Sequence, residues 1–462
     1  MAGVLVLNVV GLTPELLHSG AMPALAAYAK KQLELPLRPP LPAVTCTAQA
    51  DMLFGCQASE HGAVANGWYF REQAEVWLWR QSVHLVDGCG QRQSLFQQWK
   101  ERHPERPTAQ VFWWWNLPGH ADICLTPRPT YWSDGRKSPD VHSQPAHLGR
   151  EMQERLGDFP LFQFWGPGAG IASTRWIVEA TLDILREQDP GLCMAYLPHL
   201  DYDLQRFGPK APQAKVAASA VDQEVARLLH AAEAADRDVV VVSEYGIEEV
   251  SQACFPNRIL RDAGLLEIHP ARNGALLDPG NSRAFTVCDH QVAHVYVAAE
   301  QDLASVRELL EQADGVDRIL AGEERAAVGL DHSRSGELVL VAKPGWWFAY
   351  PYWTGSDQEP DFARMVDIHR KPGYDPCELF LDPAKPAVKA RIIGKLIAKK
   401  LGFRTLMNVV PLDTSLVRGS HGRAPSSAAQ GPVWIGPESL RPPQTGDEAV
   451  PMHLALQGLL GN

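Results

Sequence analysis

Short apolar runs closed by turn residues recur along the first half of the chain, the clearest being Val4 to Val10, Gln110 to Trp114, Cys193 to Leu197 and Asp238 to Val242. Runs of this length without polar alternation predict strands buried on both faces, as in a parallel sheet. Between them, from Thr174 to Arg186 and from Lys215 to Ala234, apolar positions return every three or four residues, which predicts amphipathic helices. Strand and helix thus alternate as a doubly wound α/β unit requires.

After Tyr245-Gly246 the pattern changes. Asn257 to Leu266 and Asp302 to Gln312 read as helices, and Ala284 to Ala298 as two paired strands about Asp289-His290-Gln291. These elements predict a compact α+β insertion over residues 256–365, set into a core made of residues 1–255 and 366–462. A stretch rich in Trp, Tyr, Pro and Asp, from Pro344 to Pro376, leads out of the insertion. A basic helix, Lys385 to Leu401, comes next, and then an Arg-Gly-Ser-His-Gly turn ending at Gly422.

Composition narrows the partners. The 462 residues are 45% hydrophobic and carry a formal charge of -11, and no basic stripe of the kind needed to neutralise a phosphate backbone is present, so a nucleic acid polymer is not expected. The first residues lack the basic flank of a leader and read as a buried strand. No apolar run reaches bilayer length, so a cytoplasmic protein without a membrane partner is expected. Eight scattered cysteines without a Cys-x-x-Cys pair predict buried reduced thiols. Nothing in the sequence fixes the oligomeric state; a homodimer is one option.

The densest local signal is Leu41-Pro42-Ala43-Val44-Thr45-Cys46-Thr47-Ala48, followed by Gly55 and by Ser59-Glu60-His61-Gly62 leading to Asn66. A hydroxyl at a strand-to-helix turn can be offered to a substrate while nearby backbone N–H groups bind an anion. The ordinary use of a Thr there is to cap the helix.

This segment resembles the nucleophile region of the nucleotide pyrophosphatase/phosphodiesterase and phosphonoacetate hydrolase branch of the alkaline phosphatase superfamily. Three later segments extend the resemblance: Asp201 to Gln205 with Gly208-Pro209, Ser243-Glu244-Tyr245-Gly246 after a strand, and Gly419-Ser420-His421-Gly422. It implies an alkaline-phosphatase-like three-layer α/β sandwich with a small α+β cap, and a phosphoric ester hydrolase acting on a small phosphorylated substrate. It also implies Thr45 as nucleophile and one or two divalent ions, Zn or Mn.

Carried over position by position, Asp201, Glu244 and His421 remain as metal ligands, whereas the carboxylate of the first strand becomes Val10, and two imidazole positions become Gln205 and Tyr245. Val cannot ligate, and Gln and Tyr are poor zinc ligands. Two readings stay open. One is a remodelled site that recruits His369 or Asn8, with Asn8, Asn66, Gln205 and Tyr245 facing the substrate. The other is a pseudoenzyme that binds a phosphorylated ligand without hydrolysis. Asp289, His290, Gln291 and His294 in the insertion either line the cleft from above or serve the fold. Trp113-Trp114-Trp115, Trp68-Tyr69-Phe70 and Trp346-Trp347 read more readily as core than as a base-stacking surface.

Overall fold

The computed structural model describes residues 3–86, 92–134, 136–355, 359–383, 385, 387–443 and 448–461. A nine-stranded sheet organises the chain. Its strands are β1 Val4–Val9, β2 Leu33–Arg38, β3 Thr108–Val111, β4 Ile123–Pro127, β5 Val141–Gln144, β6 Leu192–Leu197 and β7 Asp238–Val242, followed by two late ones. Four strands of a second sheet intervene, β8 Ala284–Asp289, β9 Val292–Val297, β10 Val316–Leu320 and β11 Leu338–Ala342, before β12 Val433–Gly436 and β13 Val450–Pro451 return to the first. The order across the large sheet is β13-β2-β12-β7-β1-β6-β3-β4-β5.

Its centre, β7-β1-β6-β3-β4, is parallel throughout. β1 and β6 are buried at every position, and this is why their sequences run apolar without alternation. Each Val or Leu so buried stabilises the fold by roughly 1.5–3 kcal/mol. Helices Ile171–Gln188 and Pro212–Ala234 cover the sheet where helical periodicity placed them. The run expected as a strand from Gln110 to Trp114 pairs only as far as Val111, because Phe112 and Trp115 turn the chain at φ of 59° and 62°. Trp113, Trp114 and Trp115 are buried, as are Trp68 and Trp347, so these rings are core.

The four-stranded sheet has order β8-β9-β11-β10. Alternate residues serve its two faces, as the pleat requires. Val292, Val339 and Val341 join Cys46, Met52 and Trp68 in a shared apolar cluster, while Ala293, Val295, Leu338 and Leu340 pack on Leu260, Val306 and Leu310. The sheet is thereby seated on the helix that begins at Thr45. The predicted helix from Asn257 stops at Asp262, short of Leu266. The cysteines at 46, 56, 124, 193, 254, 288 and 377 are buried free thiols, and Cys89 lies outside the described residues. Among the described residues no helix is long and apolar enough to cross a membrane.

Candidate active site

Three parallel strands end side by side, and their carboxyl ends carry the polar residues. In open α/β sheets this is where ligands bind. Asn8 lies in β1 beside Val242 and Tyr196. Val10 is wholly buried among apolar neighbours and contributes only packing. From β6 the chain enters helix α1, His199–Phe207, whose Asp201 and Gln205 sit one turn apart on one face. From β7 it runs into Ser243, whose hydroxyl donates to Leu12 O at 2.7 Å and accepts from Val433 N at 2.9 Å, fixing Glu244 and Tyr245 behind it. Gly246 must be glycine: a Cβ there would stand 1.8 Å from Gln430 O.

Thr45 is the first residue of a ten-residue helix whose N-cap is Val44. Its hydroxyl caps nothing; it lies 3.2 Å from the Tyr245 hydroxyl, which in turn donates to Asp201 Oδ1 at 3.4 Å. The Thr45 backbone is braced through Asn66. The Asn66 Oδ1 accepts from Cys46 N at 3.0 Å, while its own N and Nδ2 donate to Asp289 at 2.7 and 3.1 Å. His61 supports that turn: Nδ1 accepts from Ala63 N at 3.0 Å, which leaves Nε2–H to donate to Asp51 at 2.8 Å.

Glu244 is wholly buried. Its Oε1 accepts from Asn8 Nδ2 at 2.5 Å and from Gln49 Nε2. Its Oε2 and the Asn8 Oδ1 have no protein partner. Burial pushes the Glu244 carboxyl up to about 8 and the Asp201 carboxyl up to about 7. Gln205 donates to Asp201 Oδ2 at 2.9 Å and accepts from the Tyr374 hydroxyl at 2.8 Å. Its amide is thus engaged on both sides, which orients Asp201.

His421 Nδ1–H donates to Ala43 O at 2.7 Å, which directs the unprotonated Nε2 toward Asp201 Oδ1 at 3.7 Å. An imidazole held this way by a backbone carbonyl is in the tautomer a metal requires. Its ring stacks on Tyr245 with centroids 3.6 Å apart. On the other side it meets His290 at 3.7 Å, and His290 meets Tyr374 at 3.6 Å. Four rings therefore stand in one column beside Thr45.

The column brings in residues that local sequence reading left undecided or passed over. His290 occupies the two-residue turn between β8 and β9 at φ 59°, and its Nδ1 bonds Asp289 at 2.7 Å. A non-glycine residue in that conformation is uncommon and marks a constrained position. Tyr374 lies in the Trp-, Tyr-, Pro- and Asp-rich stretch from Pro344 to Pro376, which does not single it out. His294 lies deeper in the cap, bonding Val64 O at 3.0 Å and accepting from Gly336 N at 3.1 Å.

One expected ligand is not in the cluster. His369 is exposed, and its polar neighbours are the Leu78 backbone, Arg80, Lys137 and Asp367. The run it belongs to folds on itself: Lys371, buried, pairs with Asp375 and Glu378 at 2.7 Å each. Among the described residues no group of three His, Cys, Asp or Glu side chains already stands together to hold a metal. Any cation shared by Asp201, Glu244 and His421 would draw further ligands from Asn8 Oδ1 or the Thr45 hydroxyl.

Residues 4–375 match the family described as type I phosphodiesterase/nucleotide pyrophosphatase. The chain belongs to this family. An uncharacterized pyrophosphatase/phosphodiesterase of Schizosaccharomyces pombe is 22% identical over 257 residues; the match takes in 54% of this chain and about half, 45%, of that relative. Murine ectonucleotide pyrophosphatase/phosphodiesterase 5 has a similar fold, with TM-score 0.59, 13% identity and coverage of 99% of this chain and 94% of its own. Phosphonoacetate hydrolase from Sinorhizobium meliloti 1021, solved with phosphonoformate, gives TM-score 0.61 at 14% identity, covering 99% and 95%. This type I phosphodiesterase/nucleotide pyrophosphatase family chain thus has the alkaline-phosphatase-like architecture its motifs implied.

Proposed function

We propose that the chain hydrolyses phosphoric esters with Thr45 as nucleophile. The observation carrying this reading is the Thr45 hydroxyl, at the carboxyl edge of the sheet, engaged by Tyr245 and not by its own helix. Thr45 Oγ1 attacks phosphorus in line and its proton passes to the Tyr245 oxygen, while the Tyr245 proton moves to Asp201. The ester oxygen departs with its electron pair and takes the proton from Asp201. Water then cleaves the Thr45–phosphate bond. Gln205 holds Asp201 for the transfer, and Asn66 holds the backbone beneath Thr45.

The donor set does not suit a pair of zinc ions, since Val10 stands where the resemblance implies a carboxylate, and Gln205 and Tyr245 where it implies imidazoles. One hard divalent ion, Mn or Mg, is the better match: the unpartnered buried oxygens Glu244 Oε2 and Asn8 Oδ1 would be among its ligands with His421, and Asp201 would join them only in its deprotonated form, once these side chains are drawn together. When bound, such an ion supplies positive charge that offsets the buried carboxylates and polarises the phosphoryl group.

A second reading rests on burial. Thr45 is 5% exposed, and Glu244, Tyr245 and His421 are buried with it under the ring column. This supports a pseudoenzyme in which the polar cluster binds a phosphorylated ligand without turnover. Elemental analysis of protein purified without chelator, with nitrophenyl phosphodiester and monoester assays in added Mn, separates the two. The hydrolase reading expects about one divalent ion per chain, and turnover that falls at least about 1,000-fold in Thr45→Ala and in His421→Ala. Full activity in either variant sinks the mechanism; no ion and no turnover favour the pseudoenzyme.

A further inference from the structure

One element is not used by the site or by the core. Helix α2, Val388–Lys400, contains no buried residue. Ile393, Leu396 and Ile397 are each more than half exposed, as are Leu401, Phe403 and Leu406 just beyond it. At offsets of three, four and eight, Ile393, Leu396, Ile397 and Leu401 share one helical face. Exposed large apolar groups gathered in one place mark an interaction surface, unlike the same groups scattered singly.

The charge of this segment is opposite to that of the molecule. From Pro383 to Leu412 there are seven cationic side chains and no acidic one, in a chain of net charge -11. Lys389 lies four residues before Ile393, and Lys400 four after Leu396, so both fall on the apolar face. Among the described residues, Lys385 alone of the seven has a carboxylate partner, Asp382 at 3.0 Å. Lys395 turns the other way and ties the helix to the segment beyond its end, through Leu406 O and Asn408 Oδ1.

We propose that this helix and the segment to Leu406 lie on an anionic lipid surface, with the apolar side chains in the headgroup boundary and the lysines among lipid phosphates. A surface that is negative outside and apolar within matches both halves of the pattern, and long lysine stems can reach outward from an apolar face. Self-association through this face would oppose cation to cation. A polynucleotide would satisfy the cations and leave Ile393, Leu396, Ile397 and Leu401 in water. Interfacial binding differs from spanning, and it takes the place of the expectation of no membrane partner.

The test is flotation of the full chain with vesicles of phosphatidylcholine alone or with about a third phosphatidylserine, at low and high salt. Binding is expected to the anionic vesicles at low salt, weaker at high salt, and absent from phosphatidylcholine. Neutralising Lys389 and Lys400 should each weaken it about fivefold. A double variant, Ile397→Glu with Leu401→Glu, should abolish it while the thermal melt stays unchanged, because neither side chain is buried. Absence of binding to anionic vesicles overturns the proposal, as does undiminished binding by the variants. A wild-type dimer that this double variant converts to monomer assigns the face to self-association and also overturns it.

Discussion

Tyr245 stands where the resemblance leads one to expect an imidazole, and its two contacts define its use. The ring lies flat on His421, and the hydroxyl bridges Thr45 and Asp201. Removing only the oxygen leaves the stacking in place. Tyr245→Phe is therefore expected to change stability by no more than about 1 kcal/mol, since a hydroxyl with long bonds contributes little net. Turnover should fall by about 100-fold or more, the usual scale for loss of a proton-transfer group. Steady-state assays beside a urea melt measure both. Unchanged kcat would remove Tyr245 from the proton path and leave it as packing for His421. The same scale shows what the sequence could disclose. Asp201, Glu244 and His421 were legible as an ordered set because each follows a strand or closes a turn. The roles of Asn8 and Gln205 were not, because they depend on which neighbour each amide meets across the sheet.

Elements whose chemistry is local were legible, and elements defined by where they land were not. β1, β6 and β7 announce themselves as unbroken apolar runs, and the hairpin β8–β9 as paired strands about a polar turn. That the hairpin drops His290 between His421 and Tyr374 is a tertiary fact without a periodic signature. His294, further along β9, ties the cap to the core through Val64 O and to the chain before β11 through Gly336 N. The bond in which Nδ1 accepts from Gly336 N requires the neutral ring, and burial pulls its pKa down to about 4. The unfolded chain takes up this proton below about pH 6.5 and the native protein does not, so stability is lost as pH falls from there toward 4. The loss from this group is about 1 kcal/mol per pH unit. Urea midpoints between pH 7 and 4.5 should show a shallower slope for His294→Gln than for the parent chain. Equal slopes would assign the acid sensitivity to other groups.

Across the whole molecule two opposed titrations meet. The buried histidines penalise acid, whereas Asp201 and Glu244, with carboxyls pushed up to about 7 and about 8 by burial, penalise base. For a raised carboxyl the native state keeps a proton that the unfolded chain has already released. Its contribution is thus complete below about pH 4 and lost as pH rises through 7 and 8. Free of divalent ions, the protein should be most stable near pH 6 and should weaken by up to about 1 kcal/mol per pH unit and carboxyl above it. A cation held between those carboxylates competes with their protons, so its stabilising effect must grow with pH. Thermal melts at pH 6 and pH 8.5, in chelator and in Mn, test this directly. The rise in melting temperature on adding Mn should be larger at pH 8.5, and Glu244→Gln should reduce it by most of its size. An equal rise at both pH values would place the ion elsewhere on the surface. No rise at either would leave Asp201 and Glu244 as protonated core residues and carry the balance to the reading without turnover.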